Sequence, residues 1–234
     1  MDVWRILCKS KVYYDSNLGV YRSKSLLDKK SKETWDEHWS SRNNFSEKII
    51  SIYRKIFIGT LVSKYCDKYF KDYGVFLEAG CGIGETSAKI PKRKRIFIGC
   101  DISIYPLLRM RNNNIDIKLQ ADIFDLPLNK KSIDGIFNVG VMEHFTFDEN
   151  IRILKEFARV LKDGGTIVLF WPWKFCWVEL VSKVRPLFPS SPSMFGTFDI
   201  HELLSNVGSL DIVKMSLSPL DGFIHYVIVL TKIN

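Results

Sequence analysis

The sequence predicts an α/β protein built on one open, mostly parallel sheet of seven strands with an antiparallel last strand, preceded by a helical cap. Three observations predict it. The apolar run Val75-Phe76-Leu77 ends on Glu78 and passes into the turn Gly80-Cys81-Gly82-Ile83-Gly84, a strand entering a glycine-rich loop. Two further apolar runs end in acids, Asp101 and Asp122, so that Glu78, Asp101 and Asp122 stand at three successive strand ends. The last two apolar runs are joined by a short connection holding Pro219 and Asp221-Gly222, which suits an antiparallel pair.

The elements follow in order. Residues 1–30 mix aromatics and lysines without a clear period, and Tyr13, Tyr14 and Tyr21 either pack on the main domain or line its mouth. Residues 32–40 read as a short helix with Trp35 and Trp39 four apart on one face, suited to a flap over a binding site or to docking on the core. Arg42 lies near this flap. From Ser46, a plausible N-cap, to Tyr73 the stripe Ile49, Ile50, Tyr53, Ile56, Phe57, Thr60, Leu61 and Tyr65 predicts a packing helix. Glu85 to Ile90 reads as the start of a helix after the glycine loop, with free N–H groups and a positive dipole end toward a ligand. Strands are expected at 95–100, 115–120, 131–139, 166–170, 211–218 and 223–232, and helices at 102–110, 147–161, 178–184 and, capped by Thr197, at 198–207. The domain division is 1–72 for the cap and 73–234 for the main domain. An insertion at 171–196 holds Trp171, Trp173 and Trp177, then Pro186, Pro189 and Pro192.

Composition bounds the classes. The chain has 234 residues, is 46% hydrophobic and carries a net charge of +8, of which +6 falls in residues 1–72. That excess suits either an anionic partner or a solvated lysine-rich surface, and the basic run 91–95 either a grip on RNA or a surface loop. The five cysteines, Cys8, Cys66, Cys81, Cys100 and Cys176, form no C-x-x-C pair. They suggest a reducing, cytoplasmic setting, no structural metal and no iron–sulfur ligand set. No apolar stretch suggests a signal peptide or a membrane span.

Glycines of this kind let a ligand lie close against backbone, because a Cβ would occupy the space. A dinucleotide site would read G-x-G-x-x-G, whereas here the spacing is G-x-G-x-G and Ser87 stands at the third glycine's place. A carboxylate at Glu78 repels a pyrophosphate and holds an ammonium. With Glu78 to Gly84 as E-x-G-x-G-x-G, the sequence resembles the class I S-adenosylmethionine (SAM)-dependent methyltransferases, a Rossmann-like fold. The segment Val141-Met142-Glu143-His144 is similar to the V-L-E-H of their small-molecule branch, methyltransferase type 11. Ser132 to Asp134 and the stretch from Ala158 to Gly165 also match.

The resemblance implies a site. Glu78, Ala79, Gly80, Cys81, Gly82 and Gly84 would hold the methionine end of SAM. Asp101, with Ile102, would take the ribose hydroxyls, and Asp122 with Ile123 the adenine; a helix N-cap and a turn are the plainer uses of these acids. Asn138 and Val139 would lie beside the methionine half. Glu143 and His144 would lie near the reacting sulfur, where a histidine suits proton transfer at neutral pH or serves only as a structural residue at a helix start. Trp35, Trp39, Glu143, His144, Trp171 and Trp173 are the substrate-side candidates, and His144 the catalytic one. The function implied is methyl transfer from SAM to a small-molecule acceptor, at a hydroxyl oxygen, leaving S-adenosylhomocysteine. The alternatives are an RNA or tRNA methyltransferase, motivated by a pI near 9.2, and a non-catalytic partner protein of the same fold.

Overall fold

The structure is a computed structural model, and it describes residues 2–26, 30–40, 51–174 and 196–233. Its centre is a mixed sheet in the order β1-β2-β5-β4-β3-β6-β7-β9-β8. The predicted seven strands are β3 (Tyr73–Ala79), β4 (Lys94–Asp101), β5 (Ile115–Gln120), β6 (Ile133–Val139), β7 (Leu161–Pro172), β8 (Leu210–Leu217) and β9 (His225–Lys232). β3 to β7 are parallel, and β9 runs antiparallel to both β7 and β8.

Two strands exceed the expectation. β1 (Val12–Asp15) and β2 (Val20–Ser23) form a hairpin, and β2 pairs with β5 through Tyr21 and Arg22. Among the described residues the sheet therefore has nine strands, and those ahead of β3 form strands as well as helices rather than a purely helical cap. The hairpin covers what would be an open sheet edge. Arg22 Nε donates to Gln120 Oε1 at 2.8 Å across that new edge.

Along β3 the side chains alternate between two layers. Phe76 joins Phe97, Phe137 and Phe170 beneath Leu61, Val62 and Cys66 of helix α2 (Gly59–Tyr69). Leu77 faces the other way, into a cluster with Ile98, Ile136 and Ile167 and with Ile153, Leu154 and Phe157 of helix α4 (Phe147–Val160). α4 begins with a capping box: the Thr146 hydroxyl accepts from the Glu149 N–H and the Glu149 carboxylate accepts from the Thr146 N–H.

The long N-terminal helix departs from its predicted stripe. Residues 54–58 form a π-turn, with the Gly59 N–H donating to the Arg54 carbonyl five residues back. The extra residue rotates the helix face. Ile56, Phe57 and Thr60 are exposed, while Leu61, Val62 and Cys66 are buried. Ile49 and Ile50 of that stripe lie outside the described residues, as do Ser46 and Arg42.

Two other expectations are corrected. After the glycine loop the chain forms a single 3-10 turn, Ser87–Lys89, and no α-helix. Ile90 precedes Pro91 and is extended, which leaves no room for one. The helix at 198–207 is shorter, Ile200–Ser205 (α5), and its cap is Asp199, whose side chain accepts from the His201 N–H.

Candidate active site

β3 is the strand at which the sheet order reverses, with β4 on one side and β6 on the other. Ligands of open α/β sheets bind outside the carboxyl ends of strands at such a point. The glycine loop leaves β3 there. The Gly80 and Cys81 N–H groups donate to the Cys100 carbonyl at 2.8 and 2.9 Å, folding the loop back over β4. Gly80 has φ +72°, and a Cβ on it would stand 2.3 Å from Val141 Cγ2. Gly82 has φ +51°, and its Cβ would meet the Trp39 ring at 3.0 Å. Glycine at 80 and 82 is thus demanded by conformation and space together. Burial pushes the thiols of Cys81 and Cys100 well above their ordinary range.

The three acids stand where they are expected. Asp101 Oδ2 accepts from the Gly82 N–H at 2.8 Å and Oδ1 from the Ser103 N–H at 3.0 Å, so this carboxylate fixes the loop. Burial pushes its carboxyl up to about 6, with Asp36 adding to the rise against the pull of those N–H groups. Glu78 is 2% exposed. Its two oxygens accept from the Thr86 and Ser87 hydroxyls, each at 2.5 Å, and burial pushes the carboxyl up to about 7. Asp122 is buried, accepts from the Phe124 N–H at 2.9 Å, and is followed by buried Ile123. Ile102 is half-buried, and its carbonyl accepts from Gln120 Nε2 at 3.1 Å.

At the end of β6, Asn138 Nδ2 donates to the Ala79 carbonyl at 2.9 Å, while its buried Oδ1 has no donor among the described residues. Val139 and Gly140 are half-buried beside it. Glu143 is buried with Oε2 unpartnered, and burial pushes its carboxyl up to about 8, against the pull of Arg54. His144 Nε2 lies 3.8 Å from Glu143 Oε1.

Helix α1 (Lys30–Ser40) crosses these strand ends. The Trp35 ring meets that of His144 edge-on at 5.3 Å. Trp39 lies over Gly82, and its carbonyl accepts from Arg109 at 3.2 Å. Asp36 Oδ1 accepts from the Ser103 hydroxyl at 2.5 Å. The helix read as a flap over a site or a docked cover is thus seated on the glycine loop and on the end of β4. Sequence reasoning missed Asp36, Thr86, Ser87 and Ser103. Asp36 stands three residues before Trp39 and so shares a helix face with it.

The aromatic segment at 171 divides. Trp171 is wholly buried and packs on Phe198 with ring centroids 5.0 Å apart, so it is a core residue and its assignment to the substrate side is corrected. It stands on β7 opposite Tyr226, inside the sheet's covered layer. Trp173 is partly exposed and meets Tyr226 edge-on at 6.2 Å. Residues 175–195, which hold Cys176, Trp177, the three prolines and a helix expected at 178–184, lie outside the described residues.

In the basic run 91–95, Lys92, Arg93 and Arg95 are paired with carboxylates and Lys94 is exposed. Arg95 is 1% exposed; it pairs with Asp67 at 3.0 Å and donates to the carbonyls of Phe70, Lys71 and Pro91. Arg93 pairs with Asp67 and Asp72, and Lys92 with Asp116. Among the described residues, no cluster of His, Cys, Asp and Glu suits a metal ion, and no helix is long and apolar enough to cross a membrane.

Comparison with known proteins agrees with this geometry. Residues 77–169 match the family model described as a methyltransferase domain. The chain is 32% identical over 115 residues to a tRNA (carboxymethyluridine(34)-5-O)-methyltransferase of Arabidopsis thaliana, covering 48% of this chain and 28% of that protein. It is 27% identical over 143 residues to a probable SAM-dependent methyltransferase of Mycobacterium tuberculosis, covering 60% and 50%. The chain thus spans half or less of the length of these relatives. Among solved structures it superposes on magnesium protoporphyrin IX methyltransferase of Synechocystis PCC 6803 with bound S-adenosylhomocysteine. There the TM-score is 0.61 and identity 17%, over 89% of this chain and 97% of that one. A 1,6-didemethyltoxoflavin-N1-methyltransferase of Burkholderia thailandensis gives a TM-score of 0.60 at 14% identity, over 87% and 88%. The matched segment, residues 77–169, is thus similar to a SAM-dependent methyltransferase domain, and the superpositions show that the chain shares the Rossmann-like α/β fold of these enzymes.

Proposed function

We propose that this protein transfers the methyl group of SAM to a small-molecule acceptor at a hydroxyl oxygen. The observation that carries the reading is the roof over the site. α1 spans from Ser103 to His144, with Trp35 against the histidine and Trp39 against Gly82. A roofed site of this kind excludes water and suits a compact acceptor.

The residues fit the cofactor. Gly80 and Gly82 hold left-handed backbone at the loop, where a Cβ would strike Val141 or Trp39. Buried Asn138 Oδ1 lacks a donor, and an ammonium group supplies one. Asp101 would hold the ribose, Asp122 and Ile123 the adenine, and Glu78 would support the methionine end through Thr86 and Ser87. Bound SAM supplies a methyl made electrophilic by its sulfonium. The protein's part is to align the acceptor oxygen and keep water out. His144, near buried Glu143, is the candidate to take the hydroxyl proton at Nε2 or Nδ1.

An RNA acceptor is the second reading, and the relative named as a tRNA methyltransferase favours it. Against it, Lys92, Arg93 and Arg95 are already paired with carboxylates. A label-transfer assay tests the two. The protein is incubated with methyl-labelled SAM and a cell extract split into small-molecule, lipid and RNA fractions. Label in the small-molecule fraction supports the proposal, and label confined to RNA overturns it.

A further inference from the structure

Ser103 ties two carboxylates together. Its backbone N–H donates to Asp101 Oδ1 at 3.0 Å, and its hydroxyl donates to Asp36 Oδ1 at 2.5 Å. One acid comes from the end of β4, the other from α1, 65 positions earlier in the chain. Among the described residues neither forms an ion pair. Two like charges so close repel, and Asp36 is one of the groups that hold the Asp101 carboxyl up. Ser103 gives each acid one donor, and a ligand carrying two adjacent donors would serve both at once. An independent sign of a ligand stands two strands away: the unpartnered, buried Oδ1 of Asn138 on β6.

We propose that Asp36 is a second ribose-binding carboxylate, sharing the cofactor's vicinal diol with Asp101. The inference rests on the SAM reading of this cleft and deepens it. A diol offers two O–H donors, one for each acid, and carries no charge of its own. Filling the cleft then replaces a repulsion between α1 and β4 with a bridge. Seating of α1, and with it of Trp35 over His144 and Trp39 over Gly82, becomes tied to the presence of cofactor. The helix acts as part of the cofactor site as well as a cover.

The test is calorimetry of S-adenosylhomocysteine and its 2′-deoxy and 3′-deoxy forms against wild type and Asp36→Asn. Asparagine keeps an acceptor for the Ser103 hydroxyl but replaces the other carboxylate oxygen with a donor amide. A charged hydrogen bond to the diol makes the expected loss roughly 10-fold or more for S-adenosylhomocysteine. The variant should cost less than about 2-fold for the deoxy form that lacks the hydroxyl Asp36 holds. Unchanged or tighter binding of S-adenosylhomocysteine by Asp36→Asn overturns the inference. So does an equal loss on all three ligands, which would mean that Asp36 only docks the helix. Wild-type protein that binds none of the three overturns the SAM reading itself, and this inference with it.

Discussion

The rings of Trp35 and His144 meet edge-on with centroids 5.3 Å apart, joining helix α1 to the turn after β6. This contact places the candidate base under an aromatic cover, where its neighbours are Trp35 and the buried carboxyl of Glu143. A base in such a place should matter to turnover and little to cofactor affinity. His144→Gln should lower kcat by about 100-fold or more, with the Kd for S-adenosylhomocysteine within a factor of about 2 of wild type. Parallel titration calorimetry and single-turnover kinetics separate the two. Equal turnover by mutant and wild type would leave His144 a structural residue.

Gly80 allows the sharpest steric prediction. Alanine there must take φ +72° and push against Val141 at 2.3 Å. Left-handed strain and overpacking together should cost about 2–5 kcal/mol. Gly80→Ala should melt at least about 5 °C below wild type and lose measurable cofactor binding. Gly164, with φ +68° and open space around a Cβ, is the control. Gly164→Ala should cost only the backbone part.

Asp101 fixes the loop and, in the proposed function, holds the ribose. Asp101→Ala should weaken S-adenosylhomocysteine binding by roughly 10- to 100-fold, the range for a hydrogen bond to a charged group. The far-ultraviolet spectrum should stay as in wild type. Affinity that survives the substitution would remove the ribose assignment.

Three buried carboxyls give the protein one pH signature. Burial holds Glu143, Glu78 and Asp101 at about 8, 7 and 6, against ordinary values of 4.5, 4.5 and 3.8. Between those limits the folded chain binds protons that the unfolded chain releases. Stability therefore falls as pH rises from about 4 to about 8 and levels off above that window. Thermal melts of the free protein should show this decline. Glu143→Gln, neutral at every pH, should flatten its upper part between about pH 6 and 8. A mutant that kept the wild-type slope there would assign the decline to other groups.

Much of the site was legible before any coordinates. Gly80, Gly82, Asp101 and Asp122 lie at the end of a strand or within a few residues of it, and a parallel strand declares itself by a short apolar run. Local turn chemistry and strand order therefore put the acids at the strand ends where the structure has them. The helix expected after Gly84 failed for an equally local reason, since Pro91 holds Ile90 extended. The π-turn at 54–58 defeated the helical stripe, because adding a residue to one turn changes the phase of everything beyond it.

By itself the sequence determined the seven-strand core of the sheet, the glycine loop at β3 and the series of acids, because each depends on neighbours within about ten residues. The tertiary structure alone decided how distant pieces meet. It put Tyr21 and Arg22 on the edge of β5, buried Arg95 against Asp67, and sank Trp171 behind Phe198. It also brought Asp36 to Ser103 across 67 positions. Such contacts are selected by which surfaces are left to bury and which charges are left to satisfy once the sheet has formed, and no local pattern in the chain encodes them.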